Sequence, residues 1–333
     1  MSGMKKIFAG LVAACCLFSG LLTACDKKTD GEIYVYAPDG APALALAYAM
    51  YSDKKDDGVT YEVVNASTIE TYLTYSNEQK NADLCVLPLN TASKLVGSGE
   101  NYQLLGAVTH GNLYMLSTQS SQYSRGNLSS LVGKTVGVVQ LQNVPGIVFK
   151  VILNDLGIPF CLLQNDDAVD PEKVNLRAVT PDQVAPTEGI DLFVAPEPAA
   201  SVKAKKTALE FVGDLQELYG GERGYPQAVL VAKRSLIEKK GEFVDSFLKK
   251  VEDGEKWLET AETSAICSAI SAHLTKGLTP SLTVDNLSRE AIARSGVWFS
   301  SAQEGKAEIN GILAKMIAVG GAASPVEEEF FAK

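Results

Sequence analysis

The sequence predicts an α/β fold, and three observations carry that prediction. Apolar stretches of strand length alternate with amphipathic stretches of helix length along most of the chain. Four strand-like stretches end in turns from which a helix-like stretch starts: Asp39–Pro42, Asn65–Ser67, Pro88–Thr91 and Gln142–Gly146. The length, 333 residues, suits one large domain or two of medium size.

The elements follow in order. Glu32–Ala37 is expected as a strand, with a turn after it and Pro42 at the first position of a helix over Ala43–Tyr51. Thr60–Val64 is the next strand. Ser67 and Glu70 have the spacing of a capping box for a helix running to Glu78. Asp83–Pro88 is a strand, and Asn90 or Thr91 is expected to cap the short helix after it. Tyr102–Val108 and Leu113–Ser117 are strands, followed by a polar stretch over Thr118–Ser130. Alternation resumes with the strand Thr135–Gln140, the turn around Pro145, and a helix over Ile147–Leu156. Phe160–Gln164, Leu176–Val179, Gly189–Val194 and Ala228–Lys233 are further strands, with a helix to Lys206 and another short element in Glu210–Leu218. The tail differs: Glu242–Glu262, Thr263–His273, Val284–Ser295 and Gln303–Val319 all have helical spacing. Trp257 and Trp298 fall in this tail and are expected to pack.

The start of the chain has another purpose. Lys5 and Lys6 precede an uncharged apolar run, Ile7–Leu22, which ends in Leu22-Thr23-Ala24-Cys25. A basic start, a short apolar core and small residues before a cut make a secretory signal peptide. A plain membrane helix is the competing reading of that run. The Leu-Thr-Ala-Cys ending resembles the lipobox of bacterial lipoproteins. That resemblance implies a leader over 1–24, cleavage before Cys25, and a diacylglyceryl group on its sulfur. Residues 25–31 are then a lipidated tether, and the working protein is extracytoplasmic, held at the bacterial cell membrane by acyl chains. More than one chain is needed for durable anchoring.

Composition excludes several classes. The formal charge is −10, and about −12 once Lys5 and Lys6 leave with the leader, so nucleic acid is a poor partner. His110 and His273 are the only histidines, and no HxxxH, CxxC or GxSxG occurs. No metal site, cofactor or nucleophile elbow is therefore expected. Cys85, Cys161 and Cys267 remain after the leader and the lipid site, and are expected as small, mostly buried thiols, with one disulfide left open.

Four stretches in order point to a family. Ala37-Pro38-Asp39-Gly40-Ala41-Pro42-Ala43-Leu44 looks like a first ligand loop, and Ala82–Asn90 (ADLCVLPLN) like the strand and turn that follow it. Leu131–Val138 (LVGKTVGV) resembles the start of a second lobe, and Ile190–Pro198 (IDLFVAPEP) its Glu-Pro segment. Together they resemble substrate-binding proteins of ABC importers, of the nitrate/sulfonate/taurine type that includes binders of thiamine-precursor pyrimidines. The resemblance implies a two-lobe periplasmic-binding-protein-like fold (type II), with a ligand cleft between the lobes and a helical tail on lobe 1. It implies lobe 1 over 32–117 plus 228–333 and lobe 2 over 118–227, with crossings near Ser117–Gln119 and Tyr225–Ala228. Its partners would be a small-molecule ligand, a permease and an ATPase, and no chemistry on the ligand is required.

The turns supply the candidate ligand contacts, because helix starts carry unpaired N–H groups and partial positive charge. On lobe 1 these are Asp39, Gly40, Ala41, Ser67, Asn90, Thr91, His110 and Asn112, with His110 at a strand end expected to face the cleft. On lobe 2 they are Gln142, Asn143 and Glu197, and Gln227 lies at the second crossing. Turn, cap or surface roles compete at each position, and Glu197 in particular either binds a cationic group or caps a helix. No Lys or Arg lies in these loops, and with Asp39 and Glu197 present this favours a neutral or cationic, heteroaromatic ligand. Two other readings stay open: an enzyme like the thiamine-pyrimidine synthases on the same fold, disfavoured by two histidines, and a lipid-anchored receptor module that serves no transporter.

Overall fold

The computed structural model describes residues 31–54, 57–74, 80–164, 167–221 and 223–333. The leader over 1–24, Cys25 and the tether up to residue 30 lie outside them, as does the end of the helix expected to reach Glu78.

Twelve strands are present among the described residues: β1 (Ile33–Pro38), β2 (Val59–Val64), β3 (Leu84–Pro88), β4 (Tyr102–Thr109), β5 (Leu113–Ser117), β6 (Thr135–Val139), β7 (Phe160–Leu162), β8 (Val174–Val179), β9 (Leu192–Pro196), β10 (Glu210–Asp214), β11 (Ala228–Lys233) and β12 (Val297–Ser301). The helices are α1 (Ala41–Ala45), α2 (Ala47–Ser52), α3 (Thr71–Thr74), α4 (Leu89–Val96), α5 (Val144–Asp155), α6 (Ala199–Lys206), α7 (Leu215–Tyr219), α8 (Arg234–Lys239), α9 (Gly241–Thr260), α10 (Thr263–Ser271), α11 (Arg289–Arg294) and α12 (Ala302–Ala318).

The strands form two six-stranded sheets, in the orders β12-β4-β11-β3-β1-β2 and β10-β5-β9-β6-β8-β7. In each, a parallel set is extended by antiparallel strands. The pairing sets direction. Ala228 lies opposite both Pro88 and Thr109, so one edge of the first sheet carries the ends of β1, β3 and β4 and the starts of β11 and β12. Leu113 lies opposite Pro196, which puts the start of β5 with the ends of β6, β8 and β9. His110, Gly111 and Asn112 alone join β4 to β5, so these two edges are neighbours.

Apolar faces account for the layering. Val35, Leu84, Val86 and Leu230 bury against α1, α2, α9 and α10. Tyr36, Cys85, Leu87 and Val229 face the other side, in a core that continues through Ile312 and Met316 of α12 to Ile147 of α5 and to Val138 and Leu176 of the second sheet. Phe193, Tyr114 and Ala195 make a smaller core under α6. Trp257 packs beside Tyr48 and Tyr51 where α9 meets α2. Cys85, Cys161 and Cys267 are all free thiols. Among the described residues no helix is long and apolar enough to cross a membrane.

Several expectations are corrected. Leu113–Ser117 pairs with β9 and β10, so the chain leaves the first sheet at His110–Asn112, not at Ser117–Gln119. The tail contains a strand: Val297–Ser301 follows Gly296 and closes the sheet beside β4, its Trp and Phe suiting a pleated surface. Helix α11 therefore covers only the end of the stretch expected from Val284. The helix expected over Ala43–Tyr51 is two helices broken at Leu46, and Pro42 occupies the second helical position. Ser67 is no cap. The Asn65 side chain makes the local turn instead, its Oδ1 accepting from Ser67 N at 2.9 Å and Ser67 Oγ at 2.8 Å. Pro88 is the residue before α4, so Asn90 and Thr91 lie inside its first turn.

Strand β12 is held close. A Cβ on Gly106 would lie 2.3 Å from the Ser300 carbonyl oxygen and 2.4 Å from the Phe299 ring. Gly106→Ala is expected to lower stability by about 2 kcal/mol through overpacking, read as a lower urea midpoint at unchanged slope. An unchanged midpoint would mean that β12 does not pack against β4 in this way.

Candidate functional site between the lobes

The facing edges are knitted at the crossings. His110 N donates to Gly296 O at 2.8 Å, Glu197 N to Asn112 O at 2.9 Å, and Gln227 N to Thr109 O at 2.9 Å. Such approach needs glycine. Gly224 and Gly296 both have positive φ, and a Cβ on either would lie within 2.2 Å of the backbone oxygen of His110 or Gly111.

On the first edge, Asp39 follows β1. Its Oδ2 accepts from Ser281 N at 2.7 Å, while its Oδ1 is buried without a partner. Desolvation raises the carboxyl above its ordinary range, outweighing the hydrogen bonds from Ser281 and Gly40. Gly40 precedes α1 with φ +104, and Ala41 begins that helix, buried. Asn90 is 3% exposed; its Nδ2 donates to Ala322 O at 3.3 Å and its Oδ1 has no partner. Thr91 Oγ1 donates to Glu70 Oε1 at 3.4 Å, and Ser67 is exposed beyond the end of β2. Asn112 Oδ1 accepts from Gln227 Nε2 at 2.8 Å, leaving Gln227 Oε1 buried and unpartnered.

His110 is corrected from a cleft-facing residue to a packed one. It is 1% exposed, its ring stacks on Trp298 at 3.4 Å, and Nε2 lies 3.1 Å from Ser300 Oγ. Desolvation and the nearby Arg223 push its pKa down to about 3, so the ring is neutral at physiological pH. Arg223 covers the other side of Trp298 at 4.0 Å and pairs with Glu255. Trp298 thus packs, as expected, but at the crossing.

On the second edge, Gln142 and Asn143 are exposed, and Asn143 precedes α5 without a side-chain cap. Glu197 is the major change. Its side chain is fully buried, and both oxygens are engaged. Oε2 accepts from Ser201 N at 3.1 Å; Oε1 accepts from Ser201 Oγ at 2.7 Å and from Arg294 Nε at 2.9 Å. Glu197 precedes Pro198, the N-cap of α6, and its carboxylate serves an amide in the first turn of that helix while its charge is met by Arg294 from within the chain. Arg294 also donates to Ser201 Oγ at 3.2 Å and lies over the Phe211 ring at 4.3 Å.

Sequence reasoning missed Arg294, Arg223 and Ser281. No local signal marked them: Arg294 sits 97 residues from its carboxylate, in a stretch whose only pattern was helical. A cavity of about 420 Å³ opens beside this pair, lined by Ser201, Lys205, Phe211, Asn286, Ser288 and Arg294. A cavity of about 560 Å³ lies at the opposite edge of the first sheet, near Tyr102 and Lys233, away from the crossings. Among the described residues no cluster of His, Cys, Asp or Glu is placed to hold a metal ion.

No protein-family model and no curated protein sequence matches the chain. Solved structures do. An ABC transporter protein from Parabacteroides distasonis superposes with a TM-score of 0.66 at 18% identity, covering 91% of this chain and 99% of its own. The periplasmic aliphatic sulphonate binding protein SsuA from Escherichia coli gives 0.61 at 12% identity, covering 92% and 93%. The periplasmic nitrate-binding protein NrtA from Synechocystis gives 0.57 at 10% identity, covering 87% and 82%. Each is named for transport or binding and none as an enzyme. At these identities the likeness shows the fold: two α/β lobes of the periplasmic binding-protein type.

Arg294 comes from the tail and Glu197 from the second sheet, so their bond ties the lobes together. Arg294→Ala is expected to cost about 3 kcal/mol in urea unfolding, because it strands a buried carboxylate. Adding Glu197→Gln should recover part of that loss; strictly additive losses would mean the two side chains do not interact.

Proposed function

We propose that this protein is an extracytoplasmic, lipid-anchored substrate-binding protein of an ABC importer. It captures a small polar or heteroaromatic nutrient between its lobes and delivers it, unaltered, to a permease driven by an ATPase. One observation carries the reading: two sheet edges face each other across short crossings, and buried polar atoms without partners lie along one of them. In open α/β sheets such edges are where ligands bind. Native proteins seldom leave buried polar atoms unpaired, and a ligand that bridges the lobes supplies the missing bonds. A ligand favours closure only by its greater affinity for the closed form. The lobes proposed are 32–109 plus 228–333 and 113–227.

The solved structures of this fold that are named as an ABC transporter and as a periplasmic sulphonate binding protein support the transport role. The leader pattern and Leu-Thr-Ala-Cys25 support the anchor.

Cys25→Ser is expected to abolish incorporation of a clickable palmitate analogue and to release the protein from the membrane fraction. Undiminished labelling in that variant would overturn the anchor. Deletion of the partner permease is expected to stop uptake of the ligand, and the isolated protein is expected to release its ligand chemically unchanged by mass spectrometry; recovery of an altered compound would favour an enzyme.

A further inference from the structure

We propose that the ligand is a small organic cation, a protonated amine or an amidinium, gripped through its N–H groups by Asp39 and Asn90. This rests on the binding-protein reading and names the ligand class for the same cleft.

The two carboxylates at the facing edges are in opposite states. Glu197 is buried with a guanidinium, a hydroxyl and a backbone amide around it. Asp39 is desolvated with no cation paired to it among the described residues; its carboxyl is met only by Ser281 and Gly40, with Oδ2 accepting from Ser281 N and Oδ1 making no close hydrogen bond. Taking a carboxylate out of water without a counter-charge is costly, and an incoming cation offsets that cost. Glu197 cannot take that role, because its counter-charge is built in.

Asn90 points the same way. Its Nδ2 donates to the Ala322 carbonyl, which can only accept, so the amide has one orientation. The atom left over in this almost wholly buried residue is Oδ1, an acceptor. Gln227 Oε1 is a further unpartnered acceptor. Asp39 follows β1, Asn90 follows β3 and Gln227 precedes β11, and these strands are neighbours in the first sheet. Neighbouring strands lie about 4.8 Å apart, so the three positions span a row the size of a small molecule. These acceptors, beside a carboxylate that no cation meets among the described residues, disfavour an oxyanion and match a group carrying several N–H donors, while the buried Ser281 hydroxyl beside Asp39 can donate or accept. The cations near the cleft are engaged elsewhere: Arg294 is spent on Glu197, Arg223 lies over Trp298 and pairs with Glu255, and Lys205 reaches the Asp285 carbonyl.

The test is calorimetry of the full-length protein in mild detergent with benzamidine, agmatine and putrescine, set against ethanesulfonate and nitrate. Fluorescence of a Trp257→Phe variant, whose remaining tryptophan is Trp298, reports the crossing at the same time. At least one cation is expected to bind at millimolar concentration or below and to change the Trp298 signal. Asp39→Asn should weaken it by at least about tenfold, and Asn90→Leu should weaken it too. Lowering the pH should weaken it from above the ordinary carboxylate range of about 4, as Asp39 takes up a proton. Should Asp39→Asn fail to fold, the Asn90 variant and the pH profile decide, and unchanged affinity in both overturns the assignment. Binding of ethanesulfonate or nitrate but of no cation overturns the ligand class and leaves the binding-protein reading standing. Silence from every probe overturns both.

Discussion

Everything in this molecule depends on how little chain joins the two sheets. From Thr109 to Leu113 the backbone can reach at most about 14 Å, so the edge where β4 ends and the edge where β5 begins must be neighbours. The return path adds a second constraint, because Gln227 is bonded to Thr109 as it re-joins the first sheet. Two lobes tied at that distance have one shared space, and the ends of β1, β3, β6 and β9 lie on the two edges that border it. Gly224 and Gly296 belong to the same constraint: side chains there would push the crossing strands apart.

Charge is arranged around that geometry in two ways. The second sheet neutralises its buried carboxylate from within, by borrowing Arg294 from the tail. The first sheet keeps Asp39 desolvated, with hydrogen bonds but no cation to meet its charge among the described residues. The tail is therefore more than a cover for the first lobe. It closes the sheet with β12, supplies Trp298 to the crossing, joins the cores of both lobes through α12, and provides the guanidinium that ties them.

Much of the fold was legible in the sequence because it is written locally. Alternating apolar runs marked most of the strands, and Pro145 and the Pro-rich turn after Ala37 marked helix starts that the structure contains. Failures came where a local pattern had two readings. Ser67 and Glu70 have capping spacing, yet Asn65 reaches the same amide first. Val297–Ser301 is short and lies among helices, so its period was not distinctive. Leu113–Ser117 was correctly a strand but credited to the wrong sheet, since a strand's sequence does not say which partners it pairs with.

Of the candidate site, the sequence determined by itself which residues occupy the turns after the parallel strands, because those turns need Pro, Gly, Asn and Asp for their backbone shapes. It also determined the excess of negative charge and the scarcity of histidine. Only the tertiary structure decided which of those turn residues remain unsatisfied. Asp39 and Glu197 look alike in the sequence; an arginine 97 residues away separates them. The physical reason is that a charge is solvated by whatever surrounds it in space, and that neighbourhood is set by packing between elements, not by the residues beside it in the chain.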